Sequence, residues 1–169
     1  LPLLEEYKTP AIIYITTKFL ESDYSMWWYE IEEYLNSVSK EIKFNFNNNN
    51  YYYSIKSEND KKICLKKITK LMKVLDKKSQ EKLLVAITGT TNRKQYNGLL
   101  LETSDLKQLI NNPLITIGAH THNHLSLKNL SEENCFDEIQ LSKTLLEEKL
   151  KIKINHFSYP FGSENDVGE

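Results

Sequence analysis

The sequence has few cysteines, no excess of charge of either sign and no long apolar run. Its two cysteines, Cys64 and Cys135, do not make a disulfide framework, so we interpret both as buried thiols. The 22 basic and 23 acidic side chains leave a net charge of −1, so no field favours nucleic acid or an anionic membrane. No apolar run approaches the length of a membrane span. The 169 residues are enough for one domain with a sizeable core.

The most informative stretch holds three of the four histidines within five residues. It starts as a short β-branched apolar run, residues 114–117, which predicts a buried strand ended by the small residues Gly118 and Ala119. His120 and His124 are four residues apart, so a helical turn after the strand would place both imidazoles on one face. Neutral imidazole nitrogens bind Zn²⁺, Co²⁺ or Ni²⁺. A catalytic metal would need a third ligand from elsewhere in the fold.

A long helix and a second strand are predicted after the histidines. Ser131 caps the helix, which reaches about Leu150 and carries Glu132 and Glu133 in its first turn. Residues 152–159 are predicted to form the next strand. The side chains expected to face inward from the helix are Phe136, Ile139, Leu146 and Leu150. Strand, helix and strand predict a parallel pair whose carboxyl ends share one edge, where the active sites of (β/α) barrels lie.

Two short motifs at this edge carry a family resemblance. Residues 118–124, Gly-Ala-His-Thr-His-Asn-His, resemble the His-Ser/Thr-x-x-His metal motif of the polysaccharide deacetylase family, also called the NodB-homology or carbohydrate esterase family 4 domain. Residues 157–162, Phe-Ser-Tyr-Pro-Phe-Gly, are similar to its later Phe-x-x-Pro-Tyr-Gly motif. Leu125 replaces the usual Pro, and Ser158 replaces an Arg that normally pairs with the catalytic Asp. The resemblance implies an α/β fold, a distorted (β/α) barrel with parallel strands.

The resemblance also implies roles for individual residues in the metal-assisted removal of N-acetyl groups from a carbohydrate. The metal, Zn²⁺ or alternatively Co²⁺ or Ni²⁺, would be bound by His120 and His124, and the partner would be an N-acetylated polysaccharide or oligosaccharide. The hydroxyl of Thr121 would steady the histidine loop. The remaining roles are the backbone N–H of Phe161 as a donor to the oxyanion, Pro160 as the residue that fixes this backbone, and Tyr159 as a residue of either the sugar groove or the core.

The other two histidines fit no ligand position of the family motifs. We expect His122 to point away from the metal or to lie beside the substrate, and His156 to be structural. A histidine pair by itself is more often surface or core than a metal site. The preceding strand, the Gly-Ala turn and the downstream Tyr-Pro-Phe-Gly motif favour the metal site.

The resemblance covers roughly the middle of the family domain. Residues 11–17 resemble its second strand, so the first strand, ending Thr-Phe-Asp-Asp-Gly, would precede Leu1, and a closing Leu-and-His motif would follow Glu169. We therefore expect a barrel fragment truncated at both ends, which lacks the third ligand and the base and is inactive by itself. The alternative is a non-catalytic carbohydrate- or metal-binding barrel that retains the histidine pair.

The chain between the second strand and the histidines is predicted to decorate the barrel. Residues 36–98 are interpreted as a helical insertion within the deacetylase domain. They include a hairpin with an Asn-rich turn over residues 41–55, an amphipathic helix over 61–75, and a segment at 81–88 that is either a helix or a strand. A further helix is predicted before this insertion, with Asp23 or Ser25 as its N-cap. This helix starts with Met26-Trp27-Trp28, and these side chains either pack inward or stack on sugar. Ser104 is predicted to cap a short helix over residues 105–110.

Overall fold

The computed structural model describes residues 1–21, 26–93, 96, 98–163 and 166. The chain separates into two compact units, which we call the histidine unit, residues 1–24 and 97–169, and the middle unit, residues 25–96. In chain order the elements are α1 Pro2–Glu6, β1 Ala11–Ile15, a 3₁₀ helix Thr17–Leu20, α2 Trp27–Ser37, β2 Glu41–Phe46, β3 Asn49–Ser54, α3 Glu58–Lys73, α4 Lys77–Thr88, α5 Thr103–Leu109, β4 Ile115–Ala119, a second 3₁₀ helix Leu127–Asn129 and α6 Glu132–Leu150.

The histidine unit contains a parallel sheet in which β1 pairs with β4, from Ala11 opposite Ile115 to Ile15 opposite Ala119. On the other side of β4, a single parallel bridge joins Ala119 to Phe157. The backbone N–H of Ala119 donates to the carbonyl of His156 at 2.8 Å. The predicted parallel direction is therefore confirmed at this bridge. The chain is a mixed α/β protein with parallel strands in one sheet, and a barrel remains a prediction.

The predicted strand over residues 152–159 is wrong apart from that one bridge. The backbone N–H of Ile154 donates to the side chain of Glu147 at 2.9 Å, so this donor is used by α6 and not by a neighbouring strand. A β ladder requires successive N–H and C=O groups to be available to the next strand. The segment consequently runs beside β4 without forming a regular strand.

The core of the histidine unit lies between the sheet and helices α5 and α6. Its buried apolar residues are Ile15, Leu106, Ile115, Ile117, Ala119, Leu146, Leu150 and Ile154. As predicted, α6 is capped by Ser131, whose hydroxyl accepts from the N–H of Asn134 at 3.3 Å. The inward position predicted for Phe136 is wrong, because its side chain is 65% exposed. Positions two apart lie about 200° apart around a helix, and Glu138 occupies the buried stripe instead.

Helix α5 begins one residue before the predicted N-cap. Its N-cap is Glu102, whose backbone N–H donates to the side chain of Asp105 at 2.7 Å, and Ser104 lies inside the first turn. The prediction that Ser104 caps this helix is therefore wrong. An acidic side chain three residues into a helix reaches back to the N-cap backbone, and here that contact decides where the helix starts.

The middle unit packs a β hairpin against helices α2, α3 and α4. Asn47 and Asn48 connect β2 to β3 with φ values of 49° and 61°, as a two-residue hairpin loop of type I′ requires. Its core holds Trp27, Ile31, Leu35, Ile42, Phe44, Phe46, Ile55, Cys64, Ile68, Met72, Leu83, Leu84 and Ile87. The hairpin is thus as predicted, and the undecided segment at 81–88 belongs to a helix, α4.

The aromatic start of α2 contributes to that core. Trp27 is only 5% exposed, and Trp28 packs against the same cluster. This burial favours the packing interpretation over a sugar-stacking platform. The predicted caps Asp23 and Ser25 lie outside the residues that the structure describes. In the part of the chain that is described, no helix is long and apolar enough to cross a bilayer.

Candidate functional site

The histidine loop, residues 120–126, follows β4 directly and is held by the end of β1. Thr16 and Thr17 are buried, and each uses its hydroxyl on this loop. The contacts are Thr16 Oγ1 to the carbonyl of His120 at 3.0 Å, the N–H of His120 to the carbonyl of Ile15 at 3.1 Å, the N–H of Thr17 to the carbonyl of Thr121 at 3.3 Å and the N–H of Lys18 to the carbonyl of His122 at 3.0 Å. Backbone groups of the loop are therefore hydrogen-bonded to the end of β1 and to the residues that follow it.

The predicted helical turn from His120 to His124 is wrong, because the loop contains left-handed residues. Thr121 has a φ of 63° and His124 a φ of 58°. Positive φ is unusual for any residue with a side chain and most unfavourable for a β-branched one such as Thr121. The hydroxyl of the buried Thr121 accepts from the N–H of His124 at 3.0 Å, which links the two unusual residues. Backbone of this kind costs about 1–3 kcal/mol per residue and persists only where its surroundings enforce it.

The loop brings the side chains of His120 and His124 together. Their ring centroids are 5.0 Å apart with an interplanar angle of 63°. This separation allows nitrogens on the facing edges to lie about 3–4 Å apart, as two ligands of one tetrahedral metal require.

The second motif orients the first of these rings. Nδ1 of His120 lies 2.8 Å from the carbonyl oxygen of Ser158. Because a carbonyl only accepts, Nδ1 carries a proton, and in the neutral ring the lone pair is therefore on Nε2. Many metal-binding histidines are oriented by such a contact. The hydrogen bond connects the two motifs in one place.

His124 sits in an apolar setting. Its ring centroid is 5.8 Å from that of Phe19 and 5.0 Å from that of Phe161. Burial, with a smaller contribution from neighbouring His120, lowers the pKa of His124 to about 4. The imidazole is therefore neutral at pH 7 and can offer a lone pair.

The other two histidines take no part in this pair. Nδ1 of His122 is 2.8 Å from Oγ1 of Thr17, and burial lowers the pKa of His122. His156 is exposed, and its carbonyl forms part of the bridge to β4. Thr17 is a partner of the histidine loop that sequence reasoning missed, because a Thr at a strand end carries no distinctive signal.

The second motif forms a tight turn beside His124. The N–H of Gly162 donates to the carbonyl of the buried Pro160 at 2.9 Å, which makes Phe161 the central residue of a three-residue turn with a φ of 68°. Such γ-turns with positive φ are rare and strained. Tyr159 is 47% exposed and meets Phe157 edge-on, with ring centroids 5.3 Å apart. Its exposure fits a groove better than a core, and the direction of the Phe161 N–H stays a prediction.

Tyr14 is a neighbour of His120 that the sequence did not reveal. It lies opposite Gly118 in the sheet register and is 38% exposed, with its ring centroid 6.4 Å from that of His120. A Cβ added to Gly118 would come within 2.6 Å of the Tyr14 ring. Gly118 is thus required by the close approach of this ring, which only the strand register makes visible.

Glu138 and Asn123 form a further contact that was not predicted. The buried carboxylate of Glu138 accepts from the N–H of Asn123 at 2.7 Å and from its side-chain amide at 2.6 Å. One signal was available in the sequence, since Glu138 falls on the stripe of α6 that continues to Leu146 and Leu150. A charged residue on a buried stripe needs a partner.

The histidine pair fits part of a metal site. His120, whose ring is oriented by a carbonyl, and His124, which burial keeps neutral, are suitable donors for Zn²⁺. Among the residues that the structure describes, no group of three or more His, Cys, Asp or Glu side chains is arranged to hold a metal ion.

Comparison with known proteins gives one match. The chain matches the polysaccharide deacetylase family over residues 59–167, which is more than half of its length. The matched range contains both motifs. It begins inside the predicted insertion, residues 36–98, so the boundaries of that insertion stay a prediction. No curated protein and no solved structure matches the chain.

Proposed function

Because the chain belongs to the polysaccharide deacetylase family, we propose that it functions in metal-dependent carbohydrate N-deacetylation. This reaction hydrolyses a carbon–nitrogen bond other than a peptide bond. The hydrogen bond from His120 Nδ1 to the Ser158 carbonyl supports this proposal most directly. It joins the two family motifs beside the His120–His124 ring pair. Two unrelated motifs would have no reason to meet in this way.

In this proposal His120 and His124 hold a divalent cation, with Zn²⁺ preferred and Co²⁺ or Ni²⁺ as alternatives. The bound ion supplies Lewis acidity, which polarises the acetyl carbonyl and lowers the pKa of a water. Thr121 holds the N–H of His124 and so the loop conformation. The backbone N–H of Phe161 donates to the oxyanion that develops on the acetyl group, and Pro160 restrains this backbone.

The family implies a carbohydrate substrate, and two exposed aromatic side chains support this substrate class. Tyr14 and Tyr159 are both partly exposed, and Tyr14 lies beside His120. Aromatic faces pack against the C–H faces of sugars, so we propose that these rings line the groove for an N-acetylated polysaccharide or oligosaccharide.

Metal binding is the first test of the proposal. Calorimetric titration with Zn²⁺, and the visible spectrum of the Co²⁺ complex, should show a site that is lost in the double variant His120→Ala/His124→Ala. His156→Ala is the matched control, because His156 is exposed and outside the pair. Equal Zn²⁺ binding by the double variant and the wild type would contradict the site.

Hydrolysis is tested by measuring acetate released from N-acetylglucosamine oligomers by the longest natural form of the protein that carries this chain. We expect release that stops with a chelator and with His124→Ala. Binding of metal and oligosaccharide without acetate release would support the alternative, a non-catalytic binding barrel.

A further inference from the structure

A buried carboxylate lies against the histidine loop without belonging to either motif. Glu138 is 7% exposed and comes from α6, where the same stripe carries Ser142, Leu146 and Leu150. Both of its oxygens accept hydrogen bonds from one residue, Asn123. An unpaired buried carboxylate is costly, so this position is tolerable only while Asn123 presents its two donors.

The anchored residue lies between the two left-handed residues of the loop. Thr121 precedes Asn123 by two positions, and His124 follows it directly. If the loop relaxed to ordinary negative φ values, the N–H of Asn123 would rotate away from Glu138. A loop with ordinary φ values would separate the His124 ring from the His120 ring. By holding Asn123, the carboxylate of Glu138 opposes this change.

We infer that Glu138 is a positioning residue that holds Asn123, and through it the His120–His124 pair, in the geometry that lets both rings bind one cation. The inference rests on the proposed function and deepens it, because it assigns the metal geometry to a residue outside both motifs. Asn123 provides the complementary pattern, with two N–H donors facing two acceptor oxygens.

Two single variants break this complementarity and their combination restores it. Glu138→Gln places an amide N–H against a donor of Asn123, and Asn123→Asp places a carboxylate against that of Glu138. In the double variant N123D/E138Q, the amide oxygen introduced on α6 accepts the backbone N–H of the loop. The N–H of the same amide donates to the carboxylate introduced in the loop. The total charge of the double variant equals that of the wild type, so the two positions test hydrogen-bond matching and not charge.

The matched control lies on the same helix. Glu147 also accepts a backbone N–H, that of Ile154 at 2.9 Å, but it does not touch the histidine loop. Glu147→Gln should therefore lower the unfolding temperature and leave Zn²⁺ affinity unchanged. Glu138→Gln and Asn123→Asp should each lower Zn²⁺ affinity in calorimetry by about 10- to 100-fold, the usual effect of removing a group that orients a metal ligand.

The double variant N123D/E138Q should recover Zn²⁺ affinity close to that of the wild type. Unchanged affinity in Glu138→Gln, a double variant no better than the single ones, or an equal loss in Glu147→Gln would overturn the inference.

A second readout needs no metal and separates this inference from the proposed function. Nitrogen NMR of the metal-free wild type should show His120 as a single Nδ1–H tautomer, because Nδ1 donates to Ser158. Glu138→Gln should give a mixture of tautomers, because a loop no longer anchored at Asn123 lets the His120 ring leave the Ser158 carbonyl. N123D/E138Q should restore the single form. A wild type that binds no Zn²⁺ but shows these tautomer changes would defeat the metal site and keep the positioning role.

A wild-type tautomer spectrum in Glu138→Gln would defeat the positioning role. If Glu138→Gln does not fold, Asn123→Ala keeps the backbone donor and should show a smaller change of the same kind.

Discussion

The two units of the chain bury different kinds of residues. The core of the middle unit is made almost wholly of apolar side chains from α2, the hairpin, α3 and α4. Its buried polar residues among those described are Glu30, which pairs with Arg93 at 3.0 Å, and Gln80, which donates to the carbonyl of Met72 at 3.0 Å. The histidine unit instead buries the polar residues Thr16, Thr17, Thr121, Ser126, Glu138, Ser142 and Asp166.

The backbone shows the same difference. Left-handed residues described in the middle unit are Asn47, Asn48 and Gly89, types that tolerate positive φ in a hairpin loop or at a helix end. In the histidine unit they include Thr121, His124 and Phe161, which do not tolerate it well. The middle unit follows local preference, whereas the histidine unit departs from it at three residues of the two family motifs and also at Lys8 and Lys151. This contrast indicates that the motifs hold a specific backbone geometry, and that their left-handed residues lower the stability of the fold.

The largest effect on stability is expected in the middle unit. Ile68→Ala removes a fully buried side chain from α3 and should cost about 2–5 kcal/mol of unfolding free energy, because it leaves a cavity. Chemical denaturation measures this loss. The His120 tautomer and Zn²⁺ affinity should stay as in the wild type under native conditions. A change in the His120 tautomer or in the Zn²⁺ affinity of the fully folded variant would show that the two units are not independent.

Gly118→Ala should damage the histidine unit by overpacking. The added methyl meets the Tyr14 ring at 2.6 Å and the carbonyl oxygen of His156 at 3.1 Å, so we expect a loss of about 1–3 kcal/mol. The substitution Tyr14→Ala should remove part of this penalty when combined with it. Denaturant titration of the single and double variants gives the coupling, and strictly additive losses would contradict the proposed clash.

Lys151→Gly should stabilise the protein slightly. Lys151 ends α6 with a φ of 56°, a position where glycine carries no steric penalty. We expect a gain of about 0.5–1 kcal/mol in thermal or denaturant unfolding, with no change in Zn²⁺ affinity. Lys151 lies outside both motifs. A loss of Zn²⁺ binding in Lys151→Gly would therefore contradict the view that only the left-handed residues within the motifs matter for the metal site.

The smallest effect distinguishes the two thiols. The predicted burial is confirmed for Cys64 and is wrong for Cys135, which is partly accessible. Burial raises the pKa of Cys64 to about 11 and also raises the pKa of Cys135. Iodoacetamide at pH 8 should therefore modify Cys135 before Cys64. Between pH 9 and 11 the unfolded Cys64 loses its proton before the folded one, so its contribution to stability falls as pH rises. Faster labelling of Cys64 in the folded protein would contradict its place in the core.

The sequence by itself determined the features that depend on neighbours along the chain. Apolar, β-branched runs located β1 and β4, and the helical period located α6. The Asn-rich turn located the hairpin, and Ser131 marked the start of α6. The two motifs identified the family, which the match over residues 59–167 confirms. These features follow from steric limits and hydrogen bonds within a few residues, so they can be predicted without a fold.

The tertiary structure alone decided which distant groups meet. The carbonyl of Ser158 orients His120, Tyr14 covers Gly118, and Glu138 binds Asn123, although each pair is separated by at least fifteen positions. The lost strand at residues 152–159 has the same origin, since a side chain of α6 took a backbone donor that local pattern assigned to a sheet. A backbone donor or a buried carboxylate forms its hydrogen bond with whichever partner the packed fold brings within about 3 Å. A local sequence pattern does not contain that distance, so it cannot predict the partner.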